Sequence, residues 1–225
     1  MRKAIRGFFG ILCLILLSAT LSAGEAEVVF SGADEGGKRI ALTFDDGPHA
    51  TRTPEILDML SEYHVRATFF VVGTNVSRFP DLVRRERSEG HEIGNHTYDH
   101  ARLSCCSEAE ISDEIAGAED LLMETVGHIP TLFRPPEGAY SEKVLRVAET
   151  MDYRVILWTV DTRDWAGTGT KEMVDNVKEH VRDGSIILFH DFAGPKTHTL
   201  EALRILIPEL LDEGYTFVTV SELLG

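Results

Sequence analysis

The sequence predicts an α/β fold: a parallel sheet of about seven strands, helices outside, closed as a barrel in a single domain. Three observations lead there. Short apolar runs of β composition alternate with amphipathic helical stretches seven or so times, which demands parallel strands joined by outer helices. Ala67-Thr68-Phe69-Phe70-Val71-Val72 is continuously apolar, as expected of a strand covered on both faces. Chemistry-bearing residues follow five of the strands, and a barrel gathers so many strand ends around one rim better than an open sheet does.

Residues 1–23 read as a secretion signal. Arg2, Lys3 and Arg6 precede an apolar run, and Leu21-Ser22-Ala23 offers small residues for cleavage. An uncleaved membrane anchor is the rival, but the run is short and carries Ser18, Thr20 and Ser22. A secreted or cell-envelope protein is therefore expected. Residues 24–37, small and Gly-rich, read as a linker, and residues 38–225 as one domain large enough for a full core.

Ile40 to Phe44 forms the first strand of that domain, stopped by Gly47-Pro48. Thr53 caps a helix to about Tyr63, with Pro54 at its first position. The run at 67–72 is the second strand. Pro80 to Glu89 is a helix closed by Gly90, and residues 91–96 form the third strand. Ser107 opens the longest helix, to about Val126, with Ile111, Ile115, Ala118 and Leu122 on its core side. Leu132-Phe133 is a brief strand and Ser141 to Met151 a helix. Tyr153 to Val160 is a strand, Thr170 to Val181 a helix, and Ser185 to Phe189 the most hydrophobic strand. Thr199 to Leu211 is a helix, and Tyr215 to Val220 the last strand.

The chain carries 37 acidic and 22 basic residues, a formal net charge of −15. Such a chain does not seek nucleic acid or an anionic membrane. No feature points to a protein partner. Cys105 and Cys106 are adjacent; a disulfide between neighbours is strained, so two thiols without a catalytic role are expected.

Thr43-Phe44-Asp45-Asp46-Gly47-Pro48 is the centre of the pattern. Two carboxylates at a strand's end repel one another unless a cation or a shared proton sits between them. Both can reach one site only if the strand is already breaking into the turn, which Gly47 allows. His96 and His100, in His96-Thr97-Tyr98-Asp99-His100, are spaced to share one face of a helical turn and to reach one ion. With Asp46 they make a two-histidine, one-carboxylate set that leaves positions open for water and substrate. Phe133-Arg134-Pro135-Pro136-Glu137-Gly138 is a stiffened loop whose Arg134 could hold a carboxylate. Asp161-Thr162-Arg163-Asp164-Trp165 places a carboxylate beside an indole, which suits a sugar-binding wall. His190 emerges from the most buried strand in Leu188-Phe189-His190-Asp191.

In this order the five motifs resemble those of the polysaccharide deacetylases, carbohydrate esterase family 4, with the NodB-type homology domain. The resemblance spans about Arg39 to Leu224 and implies a distorted (β/α) barrel. It implies that Asp45 is the general base, oriented by Arg134, and that Asp46, His96 and His100 bind a divalent metal, usually Zn²⁺, with Co²⁺ an alternative. It implies that His190, paired with Asp164, is the general acid, and that Trp165 and Leu188 line the pocket for the acetyl methyl. Pro136, Glu137 and Gly138 fall in the substrate-binding loop. Where relatives often carry an aromatic residue, this chain has Glu137; the backbone N–H expected to serve the oxyanion survives that change.

The expected activity is removal of acetyl groups from N-acetylglucosamine units of a polysaccharide, of peptidoglycan or chitin type. An O-deacetylase of acetylated xylan would use the same machinery. A non-catalytic carbohydrate-binding relative is the rival of another class, and the intact residues argue against it.

Overall fold

The structure is a computed structural model that describes residues 26–34, 36–191 and 197–225. The expected signal at 1–23 lies outside these residues. The strands are β1 (Val28–Val29), β2 (Arg39–Asp45), β3 (Thr68–Val71), β4 (Glu92–Asn95), β5 (Leu132–Phe133), β6 (Arg154–Ile156), β7 (Val160–Asp161), β8 (Ile186–His190) and β9 (Thr216–Phe217). The helices are α1 (Arg52–Glu62), α2 (Gly73–Arg78), α3 (Pro80–Ser88), α4 (Glu108–Val126), α5 (Glu142–Thr150), α6 (Thr170–His180), α7 (Thr199–Asp212) and α8 (Val220–Leu224). The sheet runs β1-β6-β5-β4-β3-β2-β8-β7, with β9 beside the start of β2, and every pairing of these strands is parallel. It curls into a distorted (β/α) barrel, as the alternation predicts.

Period-two alternation along β2 sorts its side chains. Ile40, Leu42 and Phe44 join the core beneath the helices, where Phe44 stacks on Phe69 and Phe189 at ring-centroid distances of 5.1 and 6.0 Å. Ala41 joins a second, interior cluster with Phe70, Leu132, Ile156 and Ile186. Thr43 and Asp45 share Ala41's side of the strand, so the barrel interior turns polar towards the strand ends.

Four features differ from the sequence expectation. The stretch expected to be a linker supplies β1: Val28 and Val29 pair with Val155 and Ile156, and Val29 is buried in the interior cluster. The expected strand at 153–160 is two short strands at opposite ends of the sheet path. The reason is Arg134, whose guanidinium donates to the carbonyls of Ile156 (3.2 Å) and Leu157 (3.1 Å). Beyond them Thr159 donates instead to Ile186 on β8 (3.0 Å), so residues 157–159 carry the chain across the gap in the barrel. The last strand stops at Phe217, because Thr219 and Glu222 form a capping box that starts α8; Val220 and Leu223 pack into the interior cluster. Thr53 does not cap α1, which begins at Arg52; its hydroxyl donates to Asp191 and accepts the His49 N–H (2.7 Å). The expected capping of α4 holds, with a Ser107–Glu110 box. No described helix is long and apolar enough to cross a membrane. Cys105 and Cys106 are free thiols.

Candidate active site

The C-terminal ends of β2, β4, β5, β6, β7 and β8 open onto one cavity of about 460 Å³. Asp45, Asp46, His96, His100, Glu137, Gly138, Trp165, Leu188 and His190, all singled out in the sequence, line it. Backbone strain concentrates in these loops. Asp46, Thr97, His100, Glu137 and Arg163 all have positive φ, a conformation L-residues adopt at a cost and keep where the surroundings demand it. At Asp46 (φ 74°) this turn aims both neighbouring carboxylates into the cavity. The residue that breaks the strand is thus Asp46 itself. Gly47 serves close approach instead, since a Cβ there would collide with the Asp191 carboxylate.

His96 and His100 meet without a helical turn. Their segment is an irregular loop in which Thr97 (φ 70°) and His100 (φ 63°) reverse the chain. The rings lie 5.1 Å apart, and each Nε2 approaches Asp46 Oδ1, at 3.4 Å from His96 and 3.1 Å from His100. His96 Nδ1 is set by the carbonyl of Arg134 at 2.6 Å, so Nε2 is the nitrogen left for the cavity. Burial alone would push the Asp46 carboxyl up, but His100 and His96 together hold it far below the usual carboxylate range. Asp46 Oδ1 is buried with no well-directed hydrogen-bond donor among the described residues. Two imidazole nitrogens and this oxygen lie within 4.8 Å of one another, a donor set that can hold a metal ion.

Asp45 faces a different partner. Arg134, fully buried, donates from Nη1 to Asp45 Oδ1 (2.7 Å) and to Thr43 Oγ (2.8 Å). Its guanidinium lies 4.1 Å from the Phe70 ring centroid and 5.5 Å from that of Trp158. Burial pulls Arg134 below its ordinary pKa while Asp45 works the other way. One oxygen of Asp45 is thus fixed, and the other points at the histidines, 3.8 Å from His96 Nε2.

On β8, the strand beside β2, His190 Nδ1 donates to Asp164 Oδ1 at 2.7 Å. Asp164 is fully buried and accepts three further bonds, from the N–H groups of Trp165 (2.9 Å) and His190 (2.9 Å) and from Thr199 Oγ (2.7 Å). Burial disfavours a charged His190, but Asp164, then Asp45 and Asp46, outweigh it and push its pKa up to about 9.

Residues 32–156 match the family pattern described as polysaccharide deacetylase. The chain belongs to the polysaccharide deacetylase family.

A peptidoglycan-N-acetylglucosamine deacetylase of Bacillus cereus is 43% identical over 189 residues, covering 83% of this chain and 88% of the relative. A chitooligosaccharide deacetylase of a Bradyrhizobium strain is 37% identical over 204 residues, covering 85% and 93%. The solved structure of a peptidoglycan N-acetylglucosamine deacetylase superposes with a TM-score of 0.85 at 38% identity, covering 89% of this chain and 93% of that one.

In this polysaccharide deacetylase Arg134, Asp164 and Pro136 are buried and do not line the cavity; Arg134 holds Asp45 and Asp164 holds His190, while Pro136, expected in the substrate-binding loop, lies behind the wall. Two lining residues had no role in the sequence reading. Trp158 was hidden inside an expected strand, and its ring packs against Gly138, where a Cβ would come within 2.7 Å of the indole. Asp161 was visible as the first residue of its motif; it lines the cavity and accepts the Arg163 N–H at 2.8 Å. Thr43, which stands in the first motif but was given no role, and Thr199, which carries no signal that separates it from other threonines, complete the bonding of Arg134 and Asp164.

Proposed function

We propose that this chain is a metal-dependent de-N-acetylase acting on N-acetylglucosamine units of a polysaccharide, a peptidoglycan or chitin-type chain, and that it works outside the cytoplasm. One observation carries the reading. A three-ligand set, an arginine-held carboxylate and an aspartate-held histidine converge on a single cavity walled by aromatic and aliphatic groups. The export follows from the signal-like residues 1–23.

A divalent cation, Zn²⁺ or Co²⁺, held by Asp46, His96 and His100 would polarise the acetamide carbonyl and acidify a water. Asp45 takes that water's proton, its other oxygen anchored by Arg134 so that the base cannot swing away. Trp165 and Leu188 enclose the acetyl methyl and exclude bulk water. The backbone of the Pro136–Gly138 turn faces the carbonyl oxygen as it gains charge. His190, kept charged by Asp164, protonates the leaving nitrogen from Nε2. Base and acid thus stand on neighbouring strands, β2 and β8, with opposite charge environments, Arg134 behind Asp45 and Asp164 behind His190, which is how one site runs both steps near neutral pH.

Acetate release from N-acetylglucosamine oligomers, peptidoglycan and acetylated xylan tests the reading. Release from the N-acetyl substrates, its loss on chelation and its return with Zn²⁺ or Co²⁺ are expected. Release from acetylated xylan alone would replace it with the O-deacetylase reading. Full activity of Asp46→Ala after exhaustive chelation would sink the metal role.

A further inference from the structure

Four aromatic side chains are exposed among the described residues, Phe30, Tyr98, Tyr140 and Trp165, at 46%, 42%, 43% and 54% of their surface. All four follow the C-terminal ends of strands: Phe30 follows β1, Tyr98 β4, Tyr140 the loop after β5, and Trp165 β7. The exposed aliphatic side chains lie elsewhere; Met123, Ile205 and Leu211 stand on the outer helices. Trp165 is already in the cavity wall, and Tyr98 sits between the two histidines with its ring against Gly73 and Gly117. Phe30 and Tyr140 remain without a role. They pair edge to face, ring centroids 6.4 Å apart and planes 74° apart.

This pair adjoins the segments that line the cavity. Gly138 lines it, and Tyr140 lies two residues on, its N–H donating to the Gly138 carbonyl at 3.1 Å. Trp158, packed on Gly138, lines it too. Phe30 follows Val29, whose carbonyl accepts the Leu157 N–H at 2.7 Å, one residue before Trp158. These backbone links keep Tyr140 and Phe30 next to the segments that carry the cavity-lining Gly138 and Trp158. Rigid rings left in water at a rim, with a polar edge at Tyr140, suit the apolar C–H faces and hydroxyl edges of pyranose rings.

We propose that Phe30 and Tyr140 form an outlying saccharide subsite that holds the polymer chain beyond the sugar being deacetylated. The inference rests on the deacetylase reading, and the experiment keeps the two apart. Acetate release is measured on an N-acetylglucosamine dimer and on a long N-acetylglucosamine oligomer, for wild type, Phe30→Ala, Phe30→Leu, Tyr140→Ala and Tyr140→Phe.

The alanine variants are expected to raise KM for the long oligomer about tenfold, the usual loss for one aromatic anchor. They should leave kcat, and all constants for the dimer, unchanged. Phe30→Leu keeps apolar bulk but no ring, so it should behave as Phe30→Ala; Tyr140→Phe should retain most of the affinity. Equal losses on both substrates, or full rescue by Phe30→Leu, would assign the pair to packing and overturn the subsite. So would a concentration-dependent dimer, seen by light scattering, that Phe30→Ala abolishes, since the patch would then face a second copy of the chain. If wild type releases acetate from neither substrate, the deacetylase reading fails. The subsite is then decided by direct binding of the long oligomer, which the alanine variants must weaken for it to stand.

Discussion

Asp45 and Asp46 are neighbours in sequence, yet the fold gives them unlike partners. Asp45 has Arg134 behind it, and Asp46 has the two histidines in front. Cutting the Arg134–Asp45 pair would leave a buried charge alone, at a cost of about 3–5 kcal/mol in stability. The proposed acid depends on a proton. An amine leaves poorly unless it is protonated as the C–N bond breaks, and in the proposed mechanism Asp45 serves the water. His190→Asn should therefore slow amide hydrolysis about 10²-fold or more, and an activated aryl acetate, which needs no such proton, far less. Equal losses on the two would leave His190 a structural group. Because its raised pKa keeps His190 charged at low pH, the acid form is complete below that pKa and disappears as pH climbs through it. The alkaline limb of kcat/KM is thus expected below about 9, since a bound cation offsets the carboxylates that help raise it. Asp164→Asn should move that limb to lower pH, and an unmoved limb would assign it to another group.

Elements hold these side chains by backbone as much as by packing. The loop between His96 and His100 is tied on two sides. Asn95 Oδ1 accepts the Thr97 N–H at 2.8 Å, while the Asn95 side-chain amide donates to Ile115 of α4 and to Tyr153. Glu114 of α4 accepts the N–H groups of Tyr98 and Asp99, both at 3.1 Å, through one carboxylate oxygen. Helix α4 therefore supports the loop that carries His96 and His100 without touching the cavity. Glu114→Ala should weaken Zn²⁺ affinity about 10- to 100-fold, the usual worth of an outer-shell partner. A chelator competition titration would read this directly, and unchanged affinity would make Glu114 a surface cap only. Glu114→Gln keeps one acceptor oxygen and should recover most of the binding.

Across the whole molecule, the interior bears a charge burden. Glu86 on α3 is fully buried, neither carboxylate oxygen has a hydrogen-bond partner among the described residues, and its pKa is raised well above the usual value by burial, then by Asp191. Asp191 is buried too, and burial is the largest cause pushing its carboxyl up to about 7. Both groups bind a proton more tightly in the fold than in the unfolded chain. Their contribution is therefore fully present at acid pH, below the unfolded carboxylate range, and is lost as pH rises toward and through the folded pKa values. Glu86→Gln, which cannot titrate, should flatten this fall. Its Tm relative to wild type should rise between pH 5 and pH 8, and a pH-independent difference would show that Glu86 does not change charge on unfolding.

Much of this protein was legible in the chain alone. The alternation of apolar runs and helical stripes specified a parallel α/β barrel, because period and composition are local properties. The carboxylate pair, the two histidines, Arg134, Asp164 and His190 stood out because each sits just past an apolar run, where such a fold places its chemistry. What the tertiary structure alone decided is how these residues meet. Asp46 and His100 reach one point by left-handed backbone, which no residue type there announces. The run at 153–160 breaks because a distant arginine takes its carbonyls, and only that break brings Trp158 to the cavity. Residues 28–29 become a strand because the exposed edge of β6 accepts them. Each of these outcomes depends on partners far away in sequence, which local patterns do not encode.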